Sequence, residues 1–515
     1  MSRTSAVASL VLIATTVALT GCSAAGAGED FSDSASVAIS TDPSTFDPAL
    51  SRAQDDYVTA RLLFDTVLRK DADNELVGGL AQSWEAIDAS HYSLMVRDDA
   101  SCADGTPITA TVVADSLARF ASPETASTGR TLTLGGASAT FTADDELGTI
   151  DIELSAGWSD FLTGLTLPQA GIVCPAGLAD PEGLAAGTVE GAFSGPYTLT
   201  ASQAAVSYTV TLREDYDTWP EFAEPLTGDA PAVMVLTPLA ENATVATQLL
   251  SGALDFGVLT DESVNRFDDS DDFSMQTTSN NTTYLMFNER PGTTFADQPE
   301  LREAVAQAIN AETFGDITTD GRGEVITSVG SANVACVNTD TGLLVATDED
   351  AAAQALAGVS IHIVGTTLLG TGNEYIAEVL RNAGADVTLD SLDNANWSTV
   401  TSAGGSDWDI NVQGDNNLMG TVTSSLLRVM GPATEDGGRN KMGVVNDEGY
   451  AFLQAGLASV EPDEKCEALQ SAQASFLDRV DAIPLATLPS VTVVRDGFSV
   501  RAFGDYLDLA TLRIE

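Results

Sequence analysis

Three strand-like runs close this chain, at 484–488, 490–495 and 498–503, and they return long after the first strand-like segment at 37–40. A strand needs a neighbour, because an unpaired edge leaves backbone N–H and C=O groups without partners. The end of the chain is therefore expected to complete a sheet begun near its start. That requirement constrains the topology more than any local motif does.

Between the two ends the pattern is mixed α/β. Tyr57, Ala60, Leu63, Phe64 and Val67 recur at helical spacing and predict a helix over 57–68. A β-like run at 92–97 leads to the turn Asp104-Gly105-Thr106-Pro107, a helical period covers 110–120, and 139–154 reads as a hairpin. Further strands are expected at 208–212, 233–236 and 283–287. Helices are expected at 242–250, stopped by Ser251-Gly252, and at 300–309. A strand at 361–364, a helix at 375–382 and a strand at 386–389 form a βαβ-like unit. No internal repeat is visible.

The N-terminus carries Met1-Ser2-Arg3 and then an apolar run over 6–20 that is too short to span a membrane. It ends in Leu19-Thr20-Gly21-Cys22, which resembles the lipobox of bacterial lipoproteins. On that reading 1–21 is a signal peptide, Cys22 carries lipid, and the Ala-, Gly- and Ser-rich stretch 22–36 is a flexible tether. The competing reading is an ordinary secretory signal with Cys22 there by chance.

At 515 residues and 44% hydrophobic, the chain can fill several cores. Its formal net charge is −53, with 22 Lys+Arg against 75 Asp+Glu, which excludes nucleic acid as a partner and adsorption to anionic lipid through a basic face. Setting Cys22 aside, Cys102, Cys174, Cys336 and Cys466 form an even set suited to an oxidising compartment. Three pairings are open. Cys102 with Cys174 and Cys336 with Cys466 is favoured, because each bond then lies within one expected domain.

Ordered landmarks resemble the bacterial extracellular solute-binding proteins of family 5, the oligopeptide-, dipeptide- and nickel-binding lipoproteins of ABC transporters. The resemblance begins at Ser44-Thr45-Phe46-Asp47-Pro48 and Leu63-Phe64-Asp65-Thr66-Val67-Leu68. It continues through Gly79-Leu80-Ala81-Gln82-Ser83-Trp84-Glu85, Asp104 to Ala110, Ser194-Gly195-Pro196-Tyr197 and Ser251 to Asp255. Phe287-Asn288, Leu301 to Ala304 and Ile483-Pro484-Leu485 extend it to nearly the whole mature chain.

The resemblance implies a two-lobed α/β fold of the periplasmic-binding-protein type (class II) with an extra subdomain in the first lobe and the ligand cleft between lobes. Lobe I would take 37–78, the extra subdomain 79–190, lobe I again 191–280, lobe II 281–482, and a return to lobe I 483–515. It implies an ABC permease as partner, a monomeric receptor, membrane attachment on the extracytoplasmic face through the lipid anchor, and no cofactor.

The site residues it implies are Asp65 and Thr66 at a helix end, Trp397 as an aromatic wall, and the loop Gly414-Asp415-Asn416. Each has a plain structural alternative: an exposed helix end, core packing, a solvated turn. Peptide binders of the family place an aspartate against the peptide ammonium, and this chain departs there. Leu418 occupies the aligned position and Asp415 comes three residues early.

Other chemistry finds little support. His91 and His362 are the only histidines and stand far apart, which argues against a metal site. His362 is expected in a buried strand. No Gly-x-Ser-x-Gly elbow is present, Thr371-Gly372 replaces the Lys-Ser/Thr of a phosphate loop, and Phe273 spoils a calcium loop at 268–272. The expectation is a receptor without catalysis whose cargo is an oligopeptide. A sugar oligomer or another small solute is the alternative within the class, and a secreted hydrolase or a surface protein binding a partner protein lies outside it.

Overall fold

The structure, a computed structural model, describes residues 33–279, 281–503 and 506–515. Cys22, the signal peptide and most of the tether lie outside them. Two sheets carry the architecture. A seven-stranded sheet runs in the order Phe273–Thr278, Ser490–Arg495, Phe256–Leu259, Ser34–Ile39, Val233–Pro238, Ser207–Leu212, Tyr197–Gln203. A five-stranded sheet runs Asp386–Leu392, Ser360–Thr366, Ile410–Asn416, Asn281–Phe287, Ala482–Thr487. The fold is thus the expected two-lobed α/β binding-protein architecture.

Both sheets are covered on two faces. In lobe I, Val37, Val210 and Leu236 face one apolar cluster, while Ala38, Leu259 and Val493 face another. In lobe II, Leu285 and Phe287 of the Asn281–Phe287 strand enter one core. Tyr284 and Met286, pointing oppositely, enter a second. Side chains alternate across a strand, so a run such as Tyr284-Leu285-Met286-Phe287 is buried throughout only when both faces are covered.

A four-stranded antiparallel sheet, Ala81–Asp88, His91–Val96, Thr149–Leu154 and Ala139–Asp144, forms the small subdomain. Its core, with Tyr92, Ile152 and Phe161, is continuous with Leu453, Leu469 and Phe476 of lobe II. Cys102 is bonded to Cys174 beneath this subdomain, and Cys336 to Cys466 in lobe II. These are the pairs favoured from the sequence.

The chain passes between the two large sheets at two adjacent places. Thr278 pairs with Ser490 at the last rung of the lobe I ladder. Thr282 pairs with Thr487 at the first rung of the lobe II ladder. A backbone hydrogen bond from Leu488 to Asn281 (2.8 Å) lies between them.

Several sequence expectations need adjustment. The helix expected over 57–68 is Gln54–Leu63. Phe64 then turns extended, and Leu68–Lys70 pairs with Leu76–Gly78. Helical spacing ran on because Phe64 and Val67 are buried for tertiary reasons. Strand order begins at Ser34, not at 37, with Ser34 paired to Val233. The return to lobe I starts after Thr487, since Ala482–Thr487 belongs to the lobe II sheet. His362 is not core: its side chain is 34% exposed and its Nε2 lies 2.9 Å from Asp390. The strand Tyr506–Ile514, paired with Phe498–Phe503, was not anticipated. Among the described residues no helix is long and apolar enough to cross a membrane.

Candidate ligand-binding cleft

Where the lobes meet, a cavity of about 360 Å³ opens. Its lobe I side is the carboxyl edge of the seven-stranded sheet: Ser40 after the first strand, Leu239 and Ala240 after Val233–Pro238, and Thr260 after Phe256–Leu259. Ligands of open α/β sheets collect beyond this edge, where loops diverge and leave a crevice. Thr278, Asn281 and Ser490 of the two crossings line the same cavity, and Asn416 reaches it from lobe II.

The loop after the first strand is fixed by two carboxylates at the start of helix Gln54–Leu63. Asp55 accepts from the backbone N–H and the hydroxyl of Thr41 (2.7 and 2.9 Å) and from the Ser40 hydroxyl (2.6 Å). Asp56 accepts from Ser44 N–H (2.6 Å) and its hydroxyl (2.9 Å). Negative groups are favoured in the first turn of a helix, and here they also tie down the cleft rim.

Behind the cavity lies a buried ionic network. Leu507 and Leu509 line the cavity. Asp508 between them faces the other way and pairs with Arg69. Arg69 Nη1 is 3.7 Å from Asp65 Oδ1, and Tyr216 donates its phenolic proton to Asp65 (2.9 Å). Burial outweighs these partners and pushes the Asp65 carboxyl up to about 6. Thr66 accepts from Arg61 (3.0 Å) and donates to the Leu68 carbonyl (2.6 Å).

In lobe II the strand Ile410–Asn416 presents a polar row on one face. Asn411 accepts from the indole N–H of Trp397 (2.8 Å) and donates to Gln413 (3.2 Å). Asp415 is ion-paired with Arg428 (2.5 Å) and accepts from the Tyr284 phenol (2.8 Å) and the Ser425 hydroxyl (2.7 Å). Lys441 Nζ stands 4.3 Å from the Trp397 ring centroid.

The structure therefore gathers Trp397, Gly414, Asp415 and Asn416 around one strand of lobe II, and places Asp65 and Thr66 in a separate buried network of lobe I. Asn416 lines the cavity, and a Cβ on Gly414 would meet nothing within 4 Å. Asp415, Asp65, Thr66 and Trp397 are buried and engaged with protein partners. Sequence reasoning missed Asp55, Arg69, Tyr216 and the cations Arg428, Arg439 and Lys441. Arg439 and Lys441 gave a usable signal, two cations two residues apart in a chain with 22. Tyr216 gave none, because its role depends on a contact 151 residues away.

Two α/β lobes joined by a double crossing, with a cavity lined from both at the carboxyl edge of a sheet, define a solute-binding protein. Comparison with known proteins specifies which kind. Residues 75–432 match the bacterial extracellular solute-binding proteins, family 5 (middle), and the chain belongs to that family. A substrate-binding protein from Microbacterium hydrocarbonoxydans, solved in complex with 4-hydroxybenzoate hydrazide, is 40% identical, with TM-score 0.80 over 94% of this chain and 100% of that one. Two curated proteins of Escherichia coli (strain K12) match shorter stretches. The periplasmic murein peptide-binding protein MppA is 33% identical over 89 residues, 17% of each chain. The probable D,D-dipeptide-binding periplasmic protein DdpA is 29% identical over 179 residues, 32% of each. The chain thus aligns with no more than about a third of the length of these two relatives.

Proposed function

We propose that this protein is the capture component of an ABC importer. It closes its lobes on a small solute of peptide size and hands that solute to a membrane permease. Lipid on Cys22 holds it, as a monomer, at the extracytoplasmic face. The observation carrying the reading is the cavity shared by both lobes at the double crossing: a ligand touching both faces favours the shut state by its differential affinity. Small-angle scattering with and without the material that co-purifies, identified by native mass spectrometry, tests it. A ligand-independent radius of gyration would overturn it. Replacing Cys22 by Ala should release the protein into the medium, and retention at the membrane would sink the anchor.

The names of the curated relatives favour an oligopeptide as cargo. A small non-peptide solute is the second reading, and Asp415 favours it. Its carboxylate is already engaged by Arg428, Tyr284 and Ser425, which leaves little to hold a peptide ammonium. The Microbacterium relative, bound to an aromatic hydrazide, fits the same reading. Oligopeptides without affinity in calorimetry, beside a non-peptide co-purified ligand, would decide for it.

A further inference from the structure

A second cavity, of about 570 Å³, opens at the amino edge of the lobe I sheet, the edge opposite the inter-lobe cavity. Leu212, at the end of its strand, forms one wall with Tyr216 and Trp219, and Ala230 lies on another. The two aromatic rings stand edge to face with centroids 4.8 Å apart. Arg513 lies 4.3 Å from the Trp219 ring centroid, and its Nη1 donates to the carbonyls of Ala510 (3.1 Å) and Leu512 (2.8 Å). Trp219 is thus held from one side yet only half-buried. An indole fixed in this way beside open space offers a surface on which another ring can pack.

The strand Ser34–Ile39 starts beside this cavity. Ser34 pairs with Val233 in parallel register, and the Asp33 carbonyl accepts from the Ala232 N–H (2.6 Å). Carried back two residues in the same register, position 31 falls abreast of Ala230. The face is also right. Ala35 and Val37 enter the apolar cluster against which Leu212 packs, and alternation along a strand puts position 31 on their side. Residue 31 is phenylalanine, the only large apolar residue in the stretch Ser23-Ala24-Ala25-Gly26-Ala27-Gly28-Glu29-Asp30-Phe31-Ser32. Glu221 and Asp229 stand exposed at the rim, so Glu29 and Asp30 are disfavoured as occupants. What fits is the ring.

We infer that Phe31 docks in this cavity against Tyr216 and Trp219, so that the end of the tether is a strap on lobe I. The docking rests neither on lipid at Cys22 nor on solute capture. Where the lipid anchor holds, the strap sets the direction in which the chain leaves, at the edge of lobe I away from the cleft, with 23–30 as the remaining tether.

The full chain with p-benzoylphenylalanine in place of Phe31 tests this. On irradiation, crosslinks mapped by peptide mass spectrometry should concentrate within 212–230 of the same molecule. Crosslinks scattered over the surface, or none, overturn the inference. Crosslinks to 212–230 of a second copy, rising with protein concentration, overturn it in favour of self-association. Hydrogen exchange gives a readout without a bulky probe. Asp229 and Ile514 exchange backbone hydrogen bonds (2.9 and 2.8 Å) at the cavity's rim. Phe31→Ser should speed exchange of these amides by about tenfold, and Phe31→Tyr should keep it slow. Unchanged exchange in Phe31→Ser overturns the docking. So does indole, added as a probe, if it slows these amides equally in the parent and in Phe31→Ser, because the cavity is then open to solutes with Phe31 present.

Discussion

Asp65 shows how burial can override pairing. Its carboxyl is drawn down by Arg69 and Tyr216, yet desolvation dominates and leaves it near 6 against 3.8 for a free aspartate. A folded-state pKa above the unfolded one means the native chain holds that proton longer. The stabilisation it brings is complete below about pH 4 and is lost as pH rises through 6, a swing on the order of 3 kcal/mol. Asp65→Asn should therefore gain on the parent as pH climbs from 4 to 7 in urea unfolding, and parallel pH profiles would refute this. Asp415 is the other instructive residue. It was legible as a candidate, but its partner Arg428 lies on a neighbouring helix, and a sequence does not announce which charges neutralise one another. Asp415→Ala would strand a buried guanidinium beside two other cations. It should cost about 3–5 kcal/mol of stability, readable by chemical denaturation. A loss below about 1 kcal/mol, the scale of an exposed pair, would count against the network.

Among the elements, local pattern was informative where a single face decides burial. The βαβ unit is Ser360–Thr366, Thr371–Asn382 and Asp386–Leu392, with its strands parallel. The hairpin expected over 139–154 is Ala139–Asp144 with Thr149–Leu154. Where tertiary contacts bury residues outside a helix, as at Phe64 and Val67, periodicity overran the true end. The late strands were seen, but which sheet each joins depends on partners hundreds of residues away, as with Ser490 and Thr278. The Cys102–Cys174 bond spans 72 residues, so its removal frees a large loop in the unfolded chain. The double substitution Cys102→Ser, Cys174→Ser should lower unfolding free energy by about 4 kcal/mol, which the denaturant midpoint would report. An unchanged midpoint would mean that the apolar core of the subdomain holds this region without the crosslink.

The lobes of the whole molecule also touch away from the crossing. Lys465 donates to Asp160 (2.5 Å), a fully buried carboxylate of the small subdomain that also accepts from Thr421 (3.3 Å). Lys70 donates to the Met419 carbonyl, and Asn74 to the Gly420 carbonyl (3.2 Å). These polar contacts and the apolar core beside them hold the lobes in the arrangement described. Asp160→Asn removes the charge but keeps the shape, so the ligand-free protein should populate wider forms and bind its solute less tightly. Scattering and calorimetry would show both, and unaltered dimensions together with unaltered affinity would exclude this contact as a latch. A practical consequence follows from where the three lysines stand. Lys70 and Lys465 sit at the lobe junction and Lys441 over the Trp397 ring in lobe II, so lysine-directed chemistry on this chain cannot be random. Acylating reagents, amine-coupled biosensor surfaces and amine crosslinkers would at Lys70 and Lys465 act on contacts between the lobes. The same scarcity makes the reactivity of Lys70 and Lys465 a footprint of the contacts between the lobes, and it argues for attaching the protein to surfaces by other means.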